Sequence, residues 1–282
     1  LTGGEPLLRE DIIEIVSYAS GKGLTVGVTT NGTLLSEDAL KALVDAGTRS
    51  IALSMDALEA EYDDIRGVPG SFQAVREAAS RLAGLKKTGR IDAYVNFTLM
   101  KGNIGQLKSV KALADGLGLP VHICLIDRHS AVFDVPENST SNRIHPEKDM
   151  AALKDLTQFL GAEKARKPHT LILNFPGIEF IKNYFRDPVQ KQIPCVSSQD
   201  RIIIGASGDL FGGCLSMGTF GNVKETRLNR LLADTGYRNT KQNMYYKRCM
   251  GCSCGYMFNI NMHPVSVIKD LASRIRNVMF SQ

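Results

Sequence analysis

Apolar residues recur along the first half of the chain with two alternating periods. Ile12, Ile13, Ile15 and Val16 fall on one helical face, followed by the helix-ending Gly21 and Gly23. Leu24-Thr-Val-Gly-Val28 then reads as a short buried strand. Ser36 is placed to cap a helix carrying Leu40, Leu43 and Val44, closed by Gly47, and Ser50-Ile-Ala-Leu53 is the next strand. Ser71 is expected to cap a helix with Val75, Ala78, Ala79 and Leu82 inward. Ile91 to Leu99 reads as the longest strand, Ile104 to Leu117 as a helix, and Pro120 to Ile126 as the last strand of the series. Strand and helix alternating at this interval predict βαβ units and a parallel sheet.

After Asp127 the rhythm breaks. Arg128 to His145 is polar and irregular, and a helix with Met150, Leu153, Leu156 and Leu160 inward is expected beyond it. Arg201-Ile-Ile-Ile204, a turn at Ser207-Gly208-Asp209 and Leu210-Phe211 read as a small β-hairpin. Val265, Ile268, Leu271, Ile275 and Val278 share a helical face and predict a closing amphipathic helix. There is no solenoid-type repeat, and the change of texture puts a domain boundary near residues 165–190.

Composition adds limits. The chain has 282 residues, 43% of them hydrophobic and 22% charged, enough for one substantial core or one large and one small. No apolar run approaches the length that spans a bilayer, and no secretory signal pattern opens the chain, so no membrane association is expected. A net charge of +5 permits an acidic ligand, but no dense basic run with interleaved aromatics argues for nucleic acid. Lys164, Arg166, Lys167, His169, Lys182, Arg186 and Lys191 make the interdomain region basic, either as solvated helix faces or as a path for an acidic substrate or leader peptide. The six cysteines, Cys124, Cys195, Cys214, Cys249, Cys252 and Cys254, are too sparse for a disulfide scaffold. They suit a reduced, cytoplasmic compartment and metal binding.

Parallel βα architectures carry their sites at the C-terminal ends of the strands. Gly3-Gly4-Glu5-Pro6 precedes the first helix, Thr29-Thr30-Asn31-Gly32 follows the strand ending at Val28, and Ser54-Met55-Asp56 follows the strand ending at Leu53. Asn96 and Thr98 punctuate the long strand on the same face as Tyr94. Each alone is an ordinary turn or strand-end sequence. All four in phase at one rim point to a ligand site, where paired glycines let a ligand approach bare N–H and C=O groups. Cys124 reads as a core cysteine, and His122, on the same strand face, as a packed histidine or a substrate contact.

Thr2-Gly-Gly-Glu-Pro6, then Thr-Asn-Gly, then Ser-x-Asp, then Arg66-Gly67 with Gly70-Ser71-Phe72, and finally Asn103-Ile-Gly-Gln-Leu107, resemble the radical S-adenosylmethionine (SAM) superfamily over roughly residues 1–126. The resemblance implies an α/β fold, a partial (βα)6 TIM-like barrel lacking its first strand. It implies that Gly3, Gly4, Glu5 and Pro6 bind the methionine amino group, that Ser54 and Asp56 contact SAM, and that Asn31 and Asn96 are rim contacts. Arg66 is either a SAM-carboxylate contact or a surface-loop arginine. The superfamily's Cys-x3-Cys-x2-Cys segment, which holds the SAM-binding [4Fe–4S] cluster, would precede the Gly-Gly turn. The chain opens at that turn, so truncation is expected, and this segment alone is not expected to cleave SAM.

Cys249-x2-Cys252 has metal-ligand spacing, and Cys195 and Cys214 flank the expected hairpin. Four thiolates from two segments suit a [4Fe–4S] cluster or a structural zinc. The extension resembles the twitch domain, the shortened SPASM form, which implies one auxiliary [4Fe–4S] cluster on Cys195, Cys214, Cys249 and Cys252. Cys254 either replaces Cys252 as ligand or is a spare thiol. The resulting domains are 1–170, the barrel, and 171–282, a small metal domain with a β-hairpin and helix.

The implied activity is a radical SAM oxidoreductase or maturase that oxidises a ribosomally made peptide or protein, with the auxiliary cluster transferring an electron. A radical SAM dehydrogenase of a small hydroxylated metabolite is the alternative. A non-redox barrel binding protein with a zinc knuckle is the rival of another class. The implied partners are the peptide or small-molecule substrate and a reductant such as flavodoxin or ferredoxin, with no nucleic acid and no membrane.

Overall fold

The computed structural model describes residues 1–126, 146–184, 195 and 197–246, together with Pro264, Val267, Ile268, Leu271 and Ala272. The chain divides into two compact units, residues 1–124 with 166–172, and residues 125–165 with 173–282.

In the first unit a short 3-10 turn at Pro6–Leu8 leads into α1 (Ile12–Gly21), β1 (Val26–Thr30), α2 (Glu37–Asp45), β2 (Thr48–Ser54), α3 (Glu59–Arg66), α4 (Ser71–Lys87), β3 (Asp92–Leu99), α5 (Gln106–Leu117) and β4 (Val121–Leu125). Pairing begins at Val26, two residues later than the hydrophobic run suggests. The Leu24 N–H bonds back to the Ala19 carbonyl and completes the end of α1, leaving the Leu24 side chain exposed. Ser36 caps α2 as expected, its hydroxyl accepting from the Ala39 N–H at 3.1 Å.

The expected cap of α4 is different in kind. Ser71 is the first helical residue, and Gly70 occupies the cap position. The capping acceptor is Asp63 of α3, whose carboxylate takes the Gly70 N–H at 2.6 Å, the Phe72 N–H at 2.8 Å and the Ser71 hydroxyl at 2.9 Å. α3 itself has no apolar period, since Tyr62 is its one buried residue, and the pattern therefore misses it.

The sheet runs β1-β2-β3-β4, with β1–β2 and β2–β3 paired in parallel. Leu1 extends it beside β1, exchanging main-chain hydrogen bonds with Gly27 and Thr29. Leu171 extends it on the other side by a parallel bridge to Val121. Six chain segments thus lie side by side. One face is core. Val28, Ile51, Leu53, Val95, Phe97 and Ile123 are buried there, with Leu40 and Leu43 of α2, Val75, Ala79 and Leu82 of α4, and Leu107 and Val110 of α5. On the other face Thr29, Ser54, Tyr94, Asn96, Thr98, His122 and Cys124 are only half-buried. The two-residue period of a strand thus separates a hydrophobic surface from a polar, open one.

The second unit contains most of α6 (Pro146–Arg166), then α7 (Phe175–Tyr184), α8 (Ser197–Asp200), β5 (Ile203–Ile204), β6 (Asp209–Phe211), β7 (Thr219–Asn222), α9 (Leu228–Ala233) and α10 (Thr235–Tyr245). Leu153, Leu156 and Leu160 of α6 are buried as their spacing predicts, while Met150 is half-buried. The expected hairpin forms, Ile203 opposite Phe211 and Ile204 opposite Leu210, and β7 adds a third antiparallel strand. Its Thr-Phe-Gly-Asn sequence is too short to show alternation. Leu210, Leu231 and Tyr237 make a small core, with Phe220, Val223, Leu228 and Leu232 packed on it. The expected irregular segment 128–145 lies outside the described residues. So does the closing helix, apart from its few described positions, which are helical with Val267, Ile268 and Leu271 exposed.

The Phe72, Gly70 and Ser71 donors hold the Asp63 carboxyl below the usual carboxylate range. Its stabilising contribution is therefore complete above the unfolded pKa of about 3.9 and is lost as pH falls through the lower folded value. Asp63→Asn should lower the thermal midpoint by about 2–4 °C at pH 7. The gap should close toward pH 3 in melts followed by circular dichroism.

Candidate functional site

The four rim segments expected from the sequence are bound to one another by hydrogen bonds. Glu5 is the first link. Its Oε1 accepts from the Thr30 hydroxyl at 2.8 Å and the Leu7 N–H at 3.1 Å, and its Oε2 accepts from the Asn31 N–H at 2.7 Å. The Glu5 side chain therefore fastens the Gly-Gly turn to the loop after β1. The Thr30 hydroxyl in turn accepts from the Gly32 N–H. Gly32 is needed at its place: its φ is +82°, and a Cβ would stand 2.5 Å from the Leu53 side chain. Asn31 Oδ1 accepts from the Thr33 N–H and hydroxyl, which closes the loop locally. The Tyr62 hydroxyl lies 3.4 Å from the Asn31 carbonyl and 3.5 Å from that of Ser54, a weak shared contact between the loops after β1 and β2.

Asp56 is the second link. It is 4% exposed, and its Oδ1 accepts from the Thr98 N–H at 2.6 Å while its Oδ2 pairs with Arg66 at 2.6 Å. Burial pushes its carboxyl above the usual range, while Arg66 and the Thr98 N–H pull the other way. Asn103 completes the junction. Fully buried, it donates from Nδ2 to the Asp56 and Thr98 carbonyls at 2.8 Å each and accepts from the Met100 N–H at 2.8 Å. The guanidinium of Arg66 stands over the Tyr62 ring at 5.3 Å. Hydrophobic spacing gives no sign of Asn103, Tyr62 or Asp63 as structural partners, because each acts through a polar atom at a position the pattern treats as neutral.

Several polar groups at this rim lack a partner among the described residues. The Gly3 and Gly4 peptide groups make no hydrogen bond there and both residues are exposed, with Gly3 at φ +140° in a conformation open to glycine. The Ser54 hydroxyl and the Asn31 carboxamide nitrogen are also without one. Arg66 Nε is buried with no acceptor, although the side chain as a whole is 31% exposed. A buried guanidinium N–H without an acceptor costs stability unless a ligand supplies one.

Below the rim lies the polar face of the sheet. His122 Nδ1 is 2.8 Å from Asn96 Oδ1 and 3.5 Å from Cys124 Sγ, and the Tyr94 ring meets the imidazole edge-on at 6.2 Å. Cys124, expected in the core, stands on this open face, because Val121, Ile123 and Leu125 take the core positions of β4. Burial holds the His122 pKa below its ordinary value and pushes the Tyr94 hydroxyl up.

Of the cysteine set, Cys195 is buried just before α8 and Cys214 is half-buried just after the β5–β6 hairpin. Cys249, Cys252 and Cys254 lie outside the described residues. Among the described residues no group of three or more His, Cys, Asp or Glu could hold a metal ion, and no helix is long and apolar enough to cross a membrane.

With this geometry in hand, comparison shows what the chain resembles. Residues 1–104 match the family model of the radical SAM superfamily. The AdoMet-dependent heme synthase of Methanosarcina barkeri is 37% identical over 121 residues, 42% of this chain and 33% of that protein. The PqqA peptide cyclase of Gluconobacter oxydans is 39% identical over 118 residues, and the mycofactocin maturase MftC of Mycobacterium ulcerans 34% over 122, each alignment covering 32% of the relative. Among solved structures, anSMEcpe with bound AdoMet and Cp18Cys peptide superposes with a TM-score of 0.64 at 15% identity, covering 96% of this chain and 84% of that one. SuiB of Streptococcus suis bound to S-adenosylmethionine gives 0.60 at 14% identity, covering 84% and 54%. Over its first 104 residues the chain is similar to the radical SAM superfamily, and the relatives matched there are named as enzymes. It spans about a third of the length of the curated relatives it matches.

The donor set of the rim fits SAM. Exposed peptide carbonyls at Gly3 and Gly4 suit an ammonium, and the Arg66 Nε without an acceptor suits a carboxylate.

Replacing Asn103 by Ala would leave the Asp56 and Thr98 carbonyls and the Met100 N–H buried without their partner. It should cost about 3 kcal/mol in urea unfolding of this chain.

Proposed function

We propose that the intact protein is a radical SAM enzyme that oxidatively modifies a ribosomally made peptide or protein. The observation that carries the cofactor assignment is the set of polar groups without partners at one rim, Arg66 Nε above all. The peptide assignment draws support from relatives named as a peptide cyclase and a maturase, and from anSMEcpe, solved with the Cp18Cys peptide bound. When bound beside its own iron–sulfur cluster, SAM supplies a radical that removes a hydrogen atom from substrate carbon.

The residues of this chain bind and orient. The Gly3-Gly4-Glu5-Pro6 main chain accepts from the methionine ammonium, and the Glu5 carboxylate keeps that turn against Thr30 and Asn31. Arg66, aimed by Asp56, donates to the methionine carboxylate. Ser54 and the Asn31 carboxamide serve the remaining hydroxyl groups, and Asn96 marks the passage from the rim to the polar face where substrate lies. The barrel takes residues 1–170 and the metal domain 171–282.

In that second domain Cys195, Cys214, Cys249 and Cys252 hold one auxiliary [4Fe–4S] cluster, with Cys254 as the alternative to Cys252. Four thiolate ligands leave no iron open to substrate, which favours electron transfer. We place the enzyme in the cytoplasm, with a flavodoxin or ferredoxin as reductant, on the basis of its thiol content.

Two measurements test these assignments. Titration calorimetry of this chain should detect SAM binding, and Arg66→Ala should weaken it about tenfold through loss of a charge-assisted hydrogen bond. An unchanged affinity would remove Arg66 from the site. Anaerobic purification should give about four irons and four sulfides per chain, lost when Cys249 and Cys252 are both replaced by Ala. About one zinc without sulfide would make the cysteines structural and end the electron-transfer role.

A further inference from the structure

One imidazole on the open face of the sheet is built into place and yet ends in a ring nitrogen without a partner among the described residues. Asn96 of β3 and His122 of β4 stand on neighbouring strands, and the Asn96 carboxamide oxygen faces His122 Nδ1 at 2.8 Å. An amide oxygen only accepts, so Nδ1 carries the ring proton and Nε2 carries the lone pair. This reverses the tautomer that a free imidazole prefers. The Tyr94 ring, perpendicular to the imidazole with centroids 6.2 Å apart, and Cys124 Sγ at 3.5 Å restrain the ring further. Nε2 makes no hydrogen bond among the described residues. The titratable groups facing the ring are Tyr94 from β3 and Cys124 from β4. Asp92, at the exposed start of β3, is engaged by Lys86. No carboxylate among the described residues is hydrogen-bonded to the imidazole, and burial holds its pKa low, so the ring is neutral at neutral pH.

The position of this acceptor matters as much as its chemistry. Asn96 is the register partner of Ser54, and its carbonyl accepts from the Met55 N–H, so it sits level with the rim. One strand, β3, therefore separates His122 from Ser54, the nearest strand residue assigned above to the cofactor.

We propose that His122 orients the substrate, its Nε2 accepting a hydrogen bond from an uncharged O–H or N–H group beside the carbon that reacts. This rests on the radical SAM assignment and names the substrate group that the site reads. A substrate with an ether or tertiary amide at that position leaves Nε2 buried without a donor and is discriminated against. A carboxylate there is repelled by the lone pair. Asn96 is the positioning residue, acting only through the ring.

The test is nitrogen NMR of the whole chain labelled with 15N-histidine, with His122→Gln used to assign the signal. His122 should show the Nδ1–H tautomer. Asn96→Ala should release it toward Nε2–H, and Asn96→Asp, which keeps an acceptor, should restore Nδ1–H. An Nε2–H tautomer in the unaltered chain, or no response to Asn96→Ala, overturns the proposal. With methyl lactate as probe, whose one donor is its O–H, the Nε2 signal should shift, and with the methyl ether of methyl lactate, which has no donor, it should not. An equal response to both also overturns it. SAM titration of the same sample separates the two assignments. SAM binding with the wrong tautomer sinks the His122 proposal alone, whereas the right tautomer without SAM binding sinks the cofactor assignment.

Discussion

The buried carboxylate of Asp56 is the constraint on which the rim depends. A charge held at 4% exposure persists only if its oxygens are satisfied, and here one takes a main-chain N–H of β3 and the other a guanidinium from α3. Asn103 then ties the Asp56 and Thr98 carbonyls together from the turn before α5. The ends of β2 and β3 and the C-terminal end of α3 are thereby fixed to one another by polar bonds in a place where water does not compete. Removing one partner strands the others, so the junction behaves as a unit. The same bonds leave Arg66 Nε buried without an acceptor among the described residues.

Glu5 does for the loop after β1 what Asp56 does for β2 and β3. Its carboxylate reaches across the chain to Thr30 and Asn31 and so presents the Gly3-Gly4 peptide groups at the same rim. Beneath it, the strand period assigns Val95, Phe97 and Leu99 to the helices and Tyr94, Asn96 and Thr98 to the open side. Polar and core residues alternate along one strand, and the rigidity of the core is passed directly to the rim.

Much of the barrel was legible because hydrophobic period carries it. The helices around Leu40, Val75 and Val110 and the strands around Ile51 and Val95 stand where their spacing put them, with ends displaced by a residue or two. The displacement at Leu24 has a main-chain cause, the closing turn of α1, that no side-chain pattern encodes. α3 was hidden because a helix with one buried residue has no apolar stripe, and β7 because four residues do not make a period. The four rim segments were legible as a set since Gly-Gly, Asn-Gly and Ser-x-Asp fall at strand ends in phase. What the sequence did not disclose was that Glu5 and Asp56 would turn their carboxylates toward protein. Nor did it disclose that the face Cys124 shares with His122 is the open one, since a cysteine between apolar neighbours reads as core until the strand's facing is known.

The cap of α4 has a consequence for variation in this region. Asp63 belongs to α3, yet it holds the first amides of α4, and Arg66 lies one turn further along the same helix. The stretch from Gly67 to Gly70 is thus a clasp of fixed length rather than a loop. Sequence drift within it can be absorbed, but a change in its number of residues would rotate α3 against its neighbours and swing Arg66 off Asp56. Among related chains this linker should therefore vary in letters and not in length, unlike most exposed turns of an α/β barrel.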